Sequence, residues 1–288
     1  MRYAIVTNPV AGNLSIDGKR SLLAGPADIL KAEICGLDTH TVEDFCQCTK
    51  ELAGQYDVLV AAGGDGTFSD IINAVDTTRI PVAFLPLGTG NAMQHALNYK
   101  GDLGDIAVRI KEGGVRQYDL VSCDDKRRAF MVSLGVDGTV IQLRDLYRAQ
   151  GGAGFKTYFR AVLNAYFKAY KRAAAEMVLD GVQFEMKDLL TLMVVKQPYY
   201  GFGMKVVPRA RFDDGQIHVL CVNTGLLGTA FGAITAFTFG NRIGQYWAGQ
   251  RLTVRLEQPM TLQIDGNEGW ESDEFNFTVL PRGLKIKC

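Results

Sequence analysis

The most informative segment of the chain is Asp57-Val-Leu-Val-Ala-Ala-Gly-Gly-Asp-Gly-Thr-Phe-Ser-Asp70. Its first half is rich in Val and Ala, which predicts a strand buried on both faces of a parallel sheet. Gly63, Gly64 and Gly66 then let a ligand approach the main chain, and Thr67 begins a segment with the apolar stripe of a helix. Backbone amides at a helix N-terminus favour anions, so the stretch predicts a phosphate-binding turn. The carboxylate of Asp65 fits such a turn if it holds a metal ion or orients a neighbouring group.

The same architecture recurs about one βα unit later. Ile80–Pro86 is a second apolar strand, and Leu87-Gly-Thr-Gly-Asn91 leads into a helical stretch from Ala92 to Leu97. Neither turn is a Walker loop or a GxGxxG fingerprint. A first strand, Arg2–Thr7, ends in a turn that can bring Asn8 to the same sheet edge, where open α/β sheets bind ligands. One glycine turn alone would be ordinary chain reversal, but two in succession favour phosphate binding.

Composition and charge limit the classes of partner. The chain has 288 residues, 47% of them hydrophobic, which is enough for two domains with cores. Its 31 basic and 31 acidic residues cancel, so no global field attracts nucleic acid. The chain begins with a strand-like segment, and its longest uncharged stretch, 219–241, is interrupted by glycines. We therefore expect a cytoplasmic protein with no nucleic-acid partner and no transmembrane segment.

Strand and helix patterns divide the chain near residue 118. Strands and helices alternate over residues 1–118, which predicts a doubly wound α/β domain. From residue 119 to about 280 short strands dominate, several of them alternating, which predicts a β-rich domain, an antiparallel sandwich. His218 lies in one of these strand-like runs, between Ile217 and Val219, and is expected to be structural.

These motifs resemble a known kinase superfamily. Gly63-Gly-Asp-Gly-Thr67 is similar to the signature of diacylglycerol kinases, sphingosine kinases, NAD kinases and phosphofructokinases. The remaining motifs resemble, in order and spacing, those of the bacterial diacylglycerol kinase-like lipid kinases: Asn8-Pro9 with Gly12, Thr39, Pro86-Leu-Gly-Thr-Gly-Asn91, Tyr118-Asp119, Pro208 and Ala210 before Asp214-Gly215, Asp265-Gly266, and Leu280-Pro-Arg-Gly-Leu284. The likeness covers nearly the whole chain, and it specifies the family better than the lipid.

The resemblance implies a layout and a set of site residues. The fold implied is an NAD kinase-like α/β domain over 1–118 and a β-sandwich lipid-substrate domain over 119–280, with residues 281–288 returning to the first domain and the active site in the cleft between the two. ATP and Mg²⁺ are the implied cofactors. The residues expected to hold the nucleotide are Asn8, Thr39, Gly63, Gly64, Asp65, Gly66, Thr67, Gly88, Thr89 and Asn91.

Carboxylates complete the expected chemistry. Phosphoryl transfer needs a divalent cation and a group that positions the attacking hydroxyl. We expect Asp65 and Asp119 near the magnesium ion, and the resemblance implies that Asp265 is the general base. It also implies a structural magnesium near Asp213 and Asp214, although Asp213-Asp214-Gly215 reads equally as a turn. Asp265-Gly266 after a strand is likewise a strong hairpin signal, and the residues alone favour that interpretation.

The chain departs from the family pattern at three places. Many relatives have Asp where this chain has Ala92, Glu where it has Asn267, and Lys or Arg soon after the first glycine, where it has Asn13-Leu-Ser15. Each departure removes a charged group from the expected site. The consequences left open are a different acceptor, a rearranged metal site in which Glu268 stands in, or slow transfer. Because the glycine turns are intact, we favour an active kinase.

Two apolar segments suit a lipid acceptor. Residues 154–172 predict a helix with aromatics at helical spacing and interleaved Lys and Arg, which can lie on an anionic bilayer or pack on the sandwich with a solvated basic face. The segment from Leu226 to Trp247 is apolar and aromatic, with Arg242 its one charged residue. These segments predict peripheral contact with the inner membrane face. We also expect the protein to form a homodimer.

Three functions compete. The first is an ATP- and magnesium-dependent lipid kinase that phosphorylates a hydroxyl of a diacylglycerol-like or sphingoid-like lipid. The second is an NAD kinase, which shares GGDGT, but the chain lacks the Asn-Glu pair of that family after the second turn. The third is a catalytically weak nucleotide- or lipid-binding protein, which Ala92 and Asn267 would suit.

Overall fold

The computed structural model describes residues 1–9, 14–152 and 154–288. Gly12 and Asn13, which belong to the sequence motif that begins at Asn8-Pro9, lie outside these residues. The chain divides into two units: unit 1 comprises Met1–Tyr118, Gly201–Gly203 and Arg282–Cys288, and unit 2 comprises Asp119–Tyr200 and Met204–Pro281. The sequence predicts these boundaries at 118/119 and near 280.

Strands and helices alternate through unit 1. Its elements in chain order are β1 (Tyr3–Val6), α1 (Ile16–Leu30), β2 (Glu33–Cys35), α2 (Val42–Ala53), β3 (Val58–Gly63), α3 (Asp65–Ala74), β4 (Val82–Pro86), α4 (Ala92–Ala96) and α5 (Leu103–Glu112). Capping boxes at Thr41 and Asp102 start α2 and α5. The strand β2 escaped the sequence prediction because it is only 3 residues long and none of them is fully buried.

The sheet of unit 1 is parallel, in the order β2-β1-β3-β4. All residues of β1 and β3 are buried, which explains their uniformly apolar sequences. The end of the chain adds to the β4 edge, where Ile286 pairs with Val82 in parallel. The predicted doubly wound α/β fold is confirmed. After β1 the chain forms β2 on one side of that strand, and β3 and β4 then lie on its other side. The switch point of the sheet therefore lies between β1 and β3.

Unit 2 is dominated by antiparallel strands. Its remaining elements, with those shared between the units, are β5 (Val115–Cys123), β6 (Arg127–Ala129), β7 (Met131–Gly135), α6 (Val136–Ala149), α7 (Gly154–Asn164), β8 (Ala173–Leu179), β9 (Val182–Leu189), β10 (Thr191–Val195), β11 (Ile217–Val222), α8 (Leu226–Thr238), β12 (Gln245–Gly249), β13 (Arg251–Ile264) and β14 (Asn267–Lys287). A π-helical turn, Ala165–Ala169, follows α7, and a 3-10 turn spans Gly201–Gly203.

The strands of unit 2 form one antiparallel run, β12-β11-β10-β7-β13-β14, and β8 and β9 extend it from β13. The β-rich prediction is confirmed. Two details differ from what the sequence predicts. The sequence predicts separate strands over 251–256 and 260–264, but the two segments form one strand, β13. Its register shifts between Arg255 and Met260, where Pro259 cannot donate to the ladder. The predicted helix 154–172 ends at Asn164, and β8 begins at Ala173.

Within the described parts of the chain, no helix is both long and apolar enough to cross a membrane. The uncharged stretch 219–241 instead contains the end of β11 and the whole of α8.

Candidate functional site

The carboxyl ends of β1, β3 and β4 carry the predicted turns of unit 1. Asn8 follows β1, Gly64 follows β3 and Leu87 follows β4. The registers Val6↔Ala61 and Gly63↔Pro86 put these ends at one edge of the sheet, beside its switch point. Open α/β sheets bind ligands at this position.

Asp65 joins the two glycine turns. Its Oδ2 accepts a hydrogen bond from the backbone N–H of Ala92 at 2.8 Å, and its Oδ1 accepts one from Met93 at 3.0 Å. Burial raises the pKa of the Asp65 carboxyl, and the two amide hydrogen bonds oppose that rise. Of the two roles that the sequence left open, orienting neighbouring amides is the one seen here. A role as magnesium ligand stays a prediction.

The main chains of the two turns are in close contact. A Cβ on Gly88 would lie 2.6 Å from the Cα of Gly64 and 2.6 Å from Oδ1 of Asn91. The N–H groups of Leu87 and Gly88 donate to the carbonyl of Gly63 at 2.8 and 3.3 Å. Glycine at position 88 is therefore required by space, because a side chain there would push the turns apart.

Asn91 ends the second turn in the left-handed region, with φ of 42°. Its Nδ2 donates to the carbonyl of Gly88 at 2.7 Å. Its Oδ1 is buried and accepts no hydrogen bond from the described residues. A buried acceptor without a donor costs free energy unless a ligand supplies one. An oxygen of this kind fits a nucleotide hydroxyl or a magnesium ion. Thr89, another predicted nucleotide-binding residue, lies in the same turn.

The segment after β1 carries a cation that the sequence reasoning missed. Lys19 of α1 is buried, and its Nζ donates to the carbonyls of Asn8 and Pro9 at 2.7 Å each. Burial lowers the pKa of this ammonium. The family pattern has its basic residue just after Gly12, whereas here Lys19 returns to the turn from within α1. Thr39 lies after β2, and its Oγ1 donates to the Gly36 carbonyl at 2.7 Å.

A distant segment also contacts the second turn. Gly201–Gly203 belongs to unit 1, and the N–H of Phe202 donates to the carbonyl of Gly90 at 2.8 Å. Phe202 has φ of 62°, a conformation that is rare for an aromatic residue. No sequence signal pointed to this contact, because it joins positions more than a hundred residues apart.

In unit 2, Asp265 lies in a tight hairpin. Asp265 and Gly266 have φ of 49° and 88°, and Ile264 pairs with Asn267, as in a type I′ turn. The hairpin interpretation is therefore confirmed. The Asp265 side chain is also fully buried, and its Oδ1 accepts hydrogen bonds from the N–H groups of Phe130 and Met131 at 3.1 and 2.9 Å. A simple surface hairpin has no need for such a carboxylate, and the general-base role stays a prediction.

Helix α6 supports this hairpin. Arg144 donates from Nη1 to the carbonyl of Gly266 at 2.7 Å. Gln142 donates from Nε2 to Oε1 of Glu268 at 3.0 Å. Glu268, the residue suggested as a stand-in for the missing carboxylate at Asn267, is therefore held by α6. Sequence reasoning missed Arg144 and Gln142 because they are far from the Asp-Gly motif along the chain.

The remaining predicted metal residues surround a lysine. Asp119, on the part of β5 in unit 2, lies with its Oδ2 3.0 Å from Nζ of Lys196, and Oδ1 of Asp214 lies 2.8 Å from the same atom. Asp213 points away and pairs with Arg211 at 3.6 Å. The ammonium fills the position between the buried carboxylate of Asp119 and the partly exposed carboxylate of Asp214, so these residues do not fit a divalent ion there. Among the described residues, no three His, Cys, Asp or Glu side chains form a metal-binding group.

His218 extends this cluster. It is buried on β11, its Nε2 lies 3.0 Å from Oδ2 of Asp214, and its Nδ1 lies 2.7 Å from the hydroxyl of Tyr246. Burial lowers the pKa of His218, and the neighbouring Asp214 only partly offsets that effect. At neutral pH the ring is therefore uncharged. The expectation of a structural histidine agrees with these contacts.

The site residues thus form separate groups. Unit 1 brings Asp65 together with the turn at Gly88–Asn91, and it places Asn8 at the same sheet edge. Unit 2 holds Asp265 in the hairpin and joins Asp119 to Asp214 through Lys196.

Gly88→Ala tests the close contact of the turns. The added methyl would meet Gly64 and Asn91 at 2.6 Å, so we expect ATP affinity to fall by roughly tenfold or more, the effect of about 1.4 kcal/mol. The measurement is ATP titration by calorimetry. Gly25→Ala is the matched control, because a Cβ at this exposed position on α1 meets nothing within 4 Å and should leave ATP binding intact. Equal affinities for the two variants would refute the spatial requirement.

Two family models match the chain in tandem. Residues 2–123 match the model described as the diacylglycerol kinase catalytic domain. Residues 130–288 match the model described as the YegS C-terminal NAD kinase beta sandwich-like domain. The gap between the two matches, residues 124–129, follows β5 and contains β6, a few residues beyond the boundary between unit 1 and unit 2.

Individual relatives agree with these matches. A diacylglycerol kinase of Staphylococcus saprophyticus is 26% identical over 99% of this chain and 94% of its own length. A solved diacylglycerol kinase of Bacillus anthracis has a similar fold, with 15% identity, a TM-score of 0.71 and coverage of 99% and 96%. An Archaeoglobus fulgidus NAD kinase in complex with ATP is a more distant fold neighbour, with 14% identity, a TM-score of 0.54 and coverage of 100% and 94%. The chain belongs to the diacylglycerol kinase-like lipid kinase family and is a kinase.

Proposed function

We propose that this protein is an ATP- and magnesium-dependent lipid kinase that transfers the γ-phosphate to a hydroxyl of a diacylglycerol-like or sphingoid-like lipid. The observation that carries the proposal is the pair of glycine turns in unit 1, tied together by Asp65 at the edge of the sheet. This arrangement presents backbone from two turns and the start of α3 to one ligand. Such an arrangement suits a polyphosphate.

The nucleotide would be held by unit 1. ATP with magnesium supplies the phosphoryl group and neutralises its charge. Gly63, Gly64, Gly66 and Thr67 of the first turn, with Gly88, Thr89 and Asn91 of the second, would surround the phosphates. Asn8 and Thr39 would contact the rest of the nucleotide. The Oδ1 of Asn91 and the carboxylate of Asp65 are the oxygens of unit 1 suited to magnesium.

Asp265 is the proposed general base. Two backbone N–H groups fix its Oδ1, and Arg144 fixes the carbonyl of the neighbouring Gly266. A carboxylate held in this way can accept the proton of an attacking hydroxyl without reorienting. Because the side chain is fully buried, its surroundings must open to admit the acceptor. Catalytic contacts often tighten only when the substrate is bound.

The exposed apolar face of α8 supports a lipid acceptor. Leu227 is 87% exposed, Ile234 64% and Phe231 53% on a helix of 13 residues without a charged side chain. Exposed apolar surface of this size on one helix is unusual for a protein that meets only water. We propose that this face lies in the interface of an anionic membrane, where the acceptor lipid resides.

Cations surround the same helix. The guanidinium of Arg242 lies 5.3 Å from the ring centroid of Phe239, and Arg172 donates to the carbonyl of Asn223 at 3.1 Å, just before α8. The backbone of Lys205 bonds to the carbonyl of Ala236 at 2.8 Å. The sequence has no Asp or Glu between residues 215 and 256. An apolar face with a basic border matches anionic headgroups above acyl chains.

Helix α7 and the π-helical turn after it have one packed face and one exposed face. Ala161 of α7 and Ala165 of the turn lie in a cluster with Val140 of α6, and Tyr158 packs against this cluster. Phe159, Leu163 and Phe167 are exposed, at 50%, 43% and 59%. The exposed Lys156, Arg160 and Lys168 accompany them. We propose that this exposed face, like that of α8, meets the membrane surface.

The direct test is transfer of labelled γ-phosphate from ATP with magnesium to a panel of acceptors: diacylglycerol, sphingosine, ceramide, phosphatidylglycerol, monoacylglycerol and NAD. We expect a labelled diacylglycerol or sphingoid lipid. Asp265→Asn keeps the shape of the side chain, so it should bind ATP normally and lower the transfer rate by roughly two or more orders of magnitude, the scale of general-base catalysis.

The other outcomes are equally informative. Labelled NAD would make the protein an NAD kinase. ATP binding without any labelled product would make it a nucleotide-binding protein of the same fold. Transfer at the wild-type rate by Asp265→Asn would remove Asp265 from the mechanism.

The α8 face predicts membrane binding. Burying one Leu-sized side chain is worth about 1.5–3 kcal/mol, so Leu227→Asp with Ile234→Asp should weaken binding to phosphatidylglycerol-containing vesicles by about 100-fold or more. Vesicle cosedimentation measures this. Val182→Asp is the control, because Val182 is 67% exposed on β9 and should not affect binding.

Two results would contradict the proposal that the α8 face binds a membrane. The first is vesicle binding that is unchanged in the α8 variant. The second is a wild-type homodimer, seen by light scattering, that the α8 variant converts to a monomer, since the face would then meet a second copy of the chain.

A further inference from the structure

We propose that the ammonium of Lys196 is the built-in structural cation of unit 2, in place of the structural magnesium that the family resemblance implied, and that unit 2 needs no divalent metal to hold this cluster together. The inference is independent of which acceptor the kinase uses. It concerns the architecture of unit 2.

Lys196 follows directly after β10 and is fully buried. Its Nζ lies 3.0 Å from Oδ2 of Asp119 on β5 and 2.8 Å from Oδ1 of Asp214, and it also donates to the carbonyl of Gln216. The ammonium therefore joins a strand, the end of a second strand and the loop that precedes β11. A structural metal ion would have the same function in a fold.

The number of donors matches the number of acceptors. A lysine ammonium has three N–H donors and no acceptor. Asp119, Asp214 and Gln216 each provide one oxygen. The separations from the two carboxylates are those of charge-assisted hydrogen bonds, whereas Mg²⁺ and Ca²⁺ bind oxygen at about 2.0–2.6 Å. The carboxylates are therefore spaced for an ammonium.

The other side chains around the cluster have partners of their own. His218 faces Asp214 from β11, with its Nε2 3.0 Å from Oδ2 of Asp214 and its Nδ1 2.7 Å from the hydroxyl of Tyr246. Arg211 pairs with the exposed Asp213 at 3.6 Å. Lys196 is therefore the fully buried cation at this cluster.

Asp119 has a further bond that completes the arrangement. Its Oδ2 accepts the N–H of Gly215 at 2.8 Å, and the N–H of Asp119 donates to the carbonyl of Phe212 at 2.7 Å. The loop 212–216 is thus folded around Asp119 by its own backbone. A second cation between the two carboxylates would face the ammonium directly, and like charges repel strongly at such distances in a buried site.

The experiment compares thermal unfolding in EDTA and in excess Mg²⁺ or Ca²⁺, without nucleotide. The wild-type Tm should be the same in all three. Lys196→Ala leaves the buried carboxylate of Asp119 and the partly exposed one of Asp214 without their cation, and its Tm in EDTA should fall by roughly 5–15 °C. Added Ca²⁺ or Mg²⁺ should restore part of that loss, because the vacated position then lies between two carboxylates. Lys187→Ala on the exposed face of β9 is the control and should match wild type.

A double variant separates charge from packing. Lys196→Ala with Asp214→Asn removes one carboxylate as well, so it should be more stable in EDTA than Lys196→Ala and should lose the rescue by metal. A wild-type Tm that falls in EDTA and recovers with Mg²⁺ would overturn the proposal without any variant. A Lys196→Ala protein that is as stable as wild type, or that Asp214→Asn does not stabilise, would also overturn it.

Discussion

The site of unit 1 depends on one carboxylate. Asp65 begins α3, directly after the buried strand β3, and its two oxygens accept the N–H groups of Ala92 and Met93 at the start of α4. Together with the bonds from the N–H groups of Leu87 and Gly88 to the carbonyl of Gly63, these contacts hold the second turn to the first. The close contact between Gly64 and Gly88 follows, because both turns must approach without side chains. A kinase that binds ATP here would do so on a surface made mainly of backbone.

Unit 2 solves a related problem with buried charges. Asp265 is fixed by two backbone N–H groups, and Asp119 and Asp214 are fixed by Lys196. A buried carboxylate is costly unless it is hydrogen-bonded or paired. Asp65 in unit 1 and Asp119, Asp214 and Asp265 in unit 2 therefore have identifiable partners. These partners determine whether each carboxylate can hold two segments together or accept a proton.

Local sequence patterns predicted much of this architecture. Buried β3, the glycine turn after it and the Asp265-Gly266 hairpin each have signals within a few residues, and each was predicted. The contacts of Lys19 and Lys196 were not, because Lys19 bonds to carbonyls 10 and 11 residues away and Lys196 to carboxylates on another strand and in a loop, so no local pattern shows either contact. A lysine directly after the buried strand 191–195 was the available signal, since lysine is almost never fully buried unless it is paired. Which carboxylates pair with such a lysine is decided by the topology of the sheet, and a local sequence pattern does not show it.

We infer that Asp65 holds the two turns in the shape that binds the nucleotide. The decisive measurement is the ATP affinity of Asp65→Ala by calorimetry, with and without Mg²⁺, beside Asp28→Ala, an exposed carboxylate on α1, as the control. Each hydrogen bond to a charged group is worth about 1.5–3 kcal/mol, so we expect an affinity loss of roughly tenfold or more in both conditions. Unchanged affinity, or a loss seen only when Mg²⁺ is present, would contradict it, since the second result would make Asp65 a metal ligand rather than the brace between the turns.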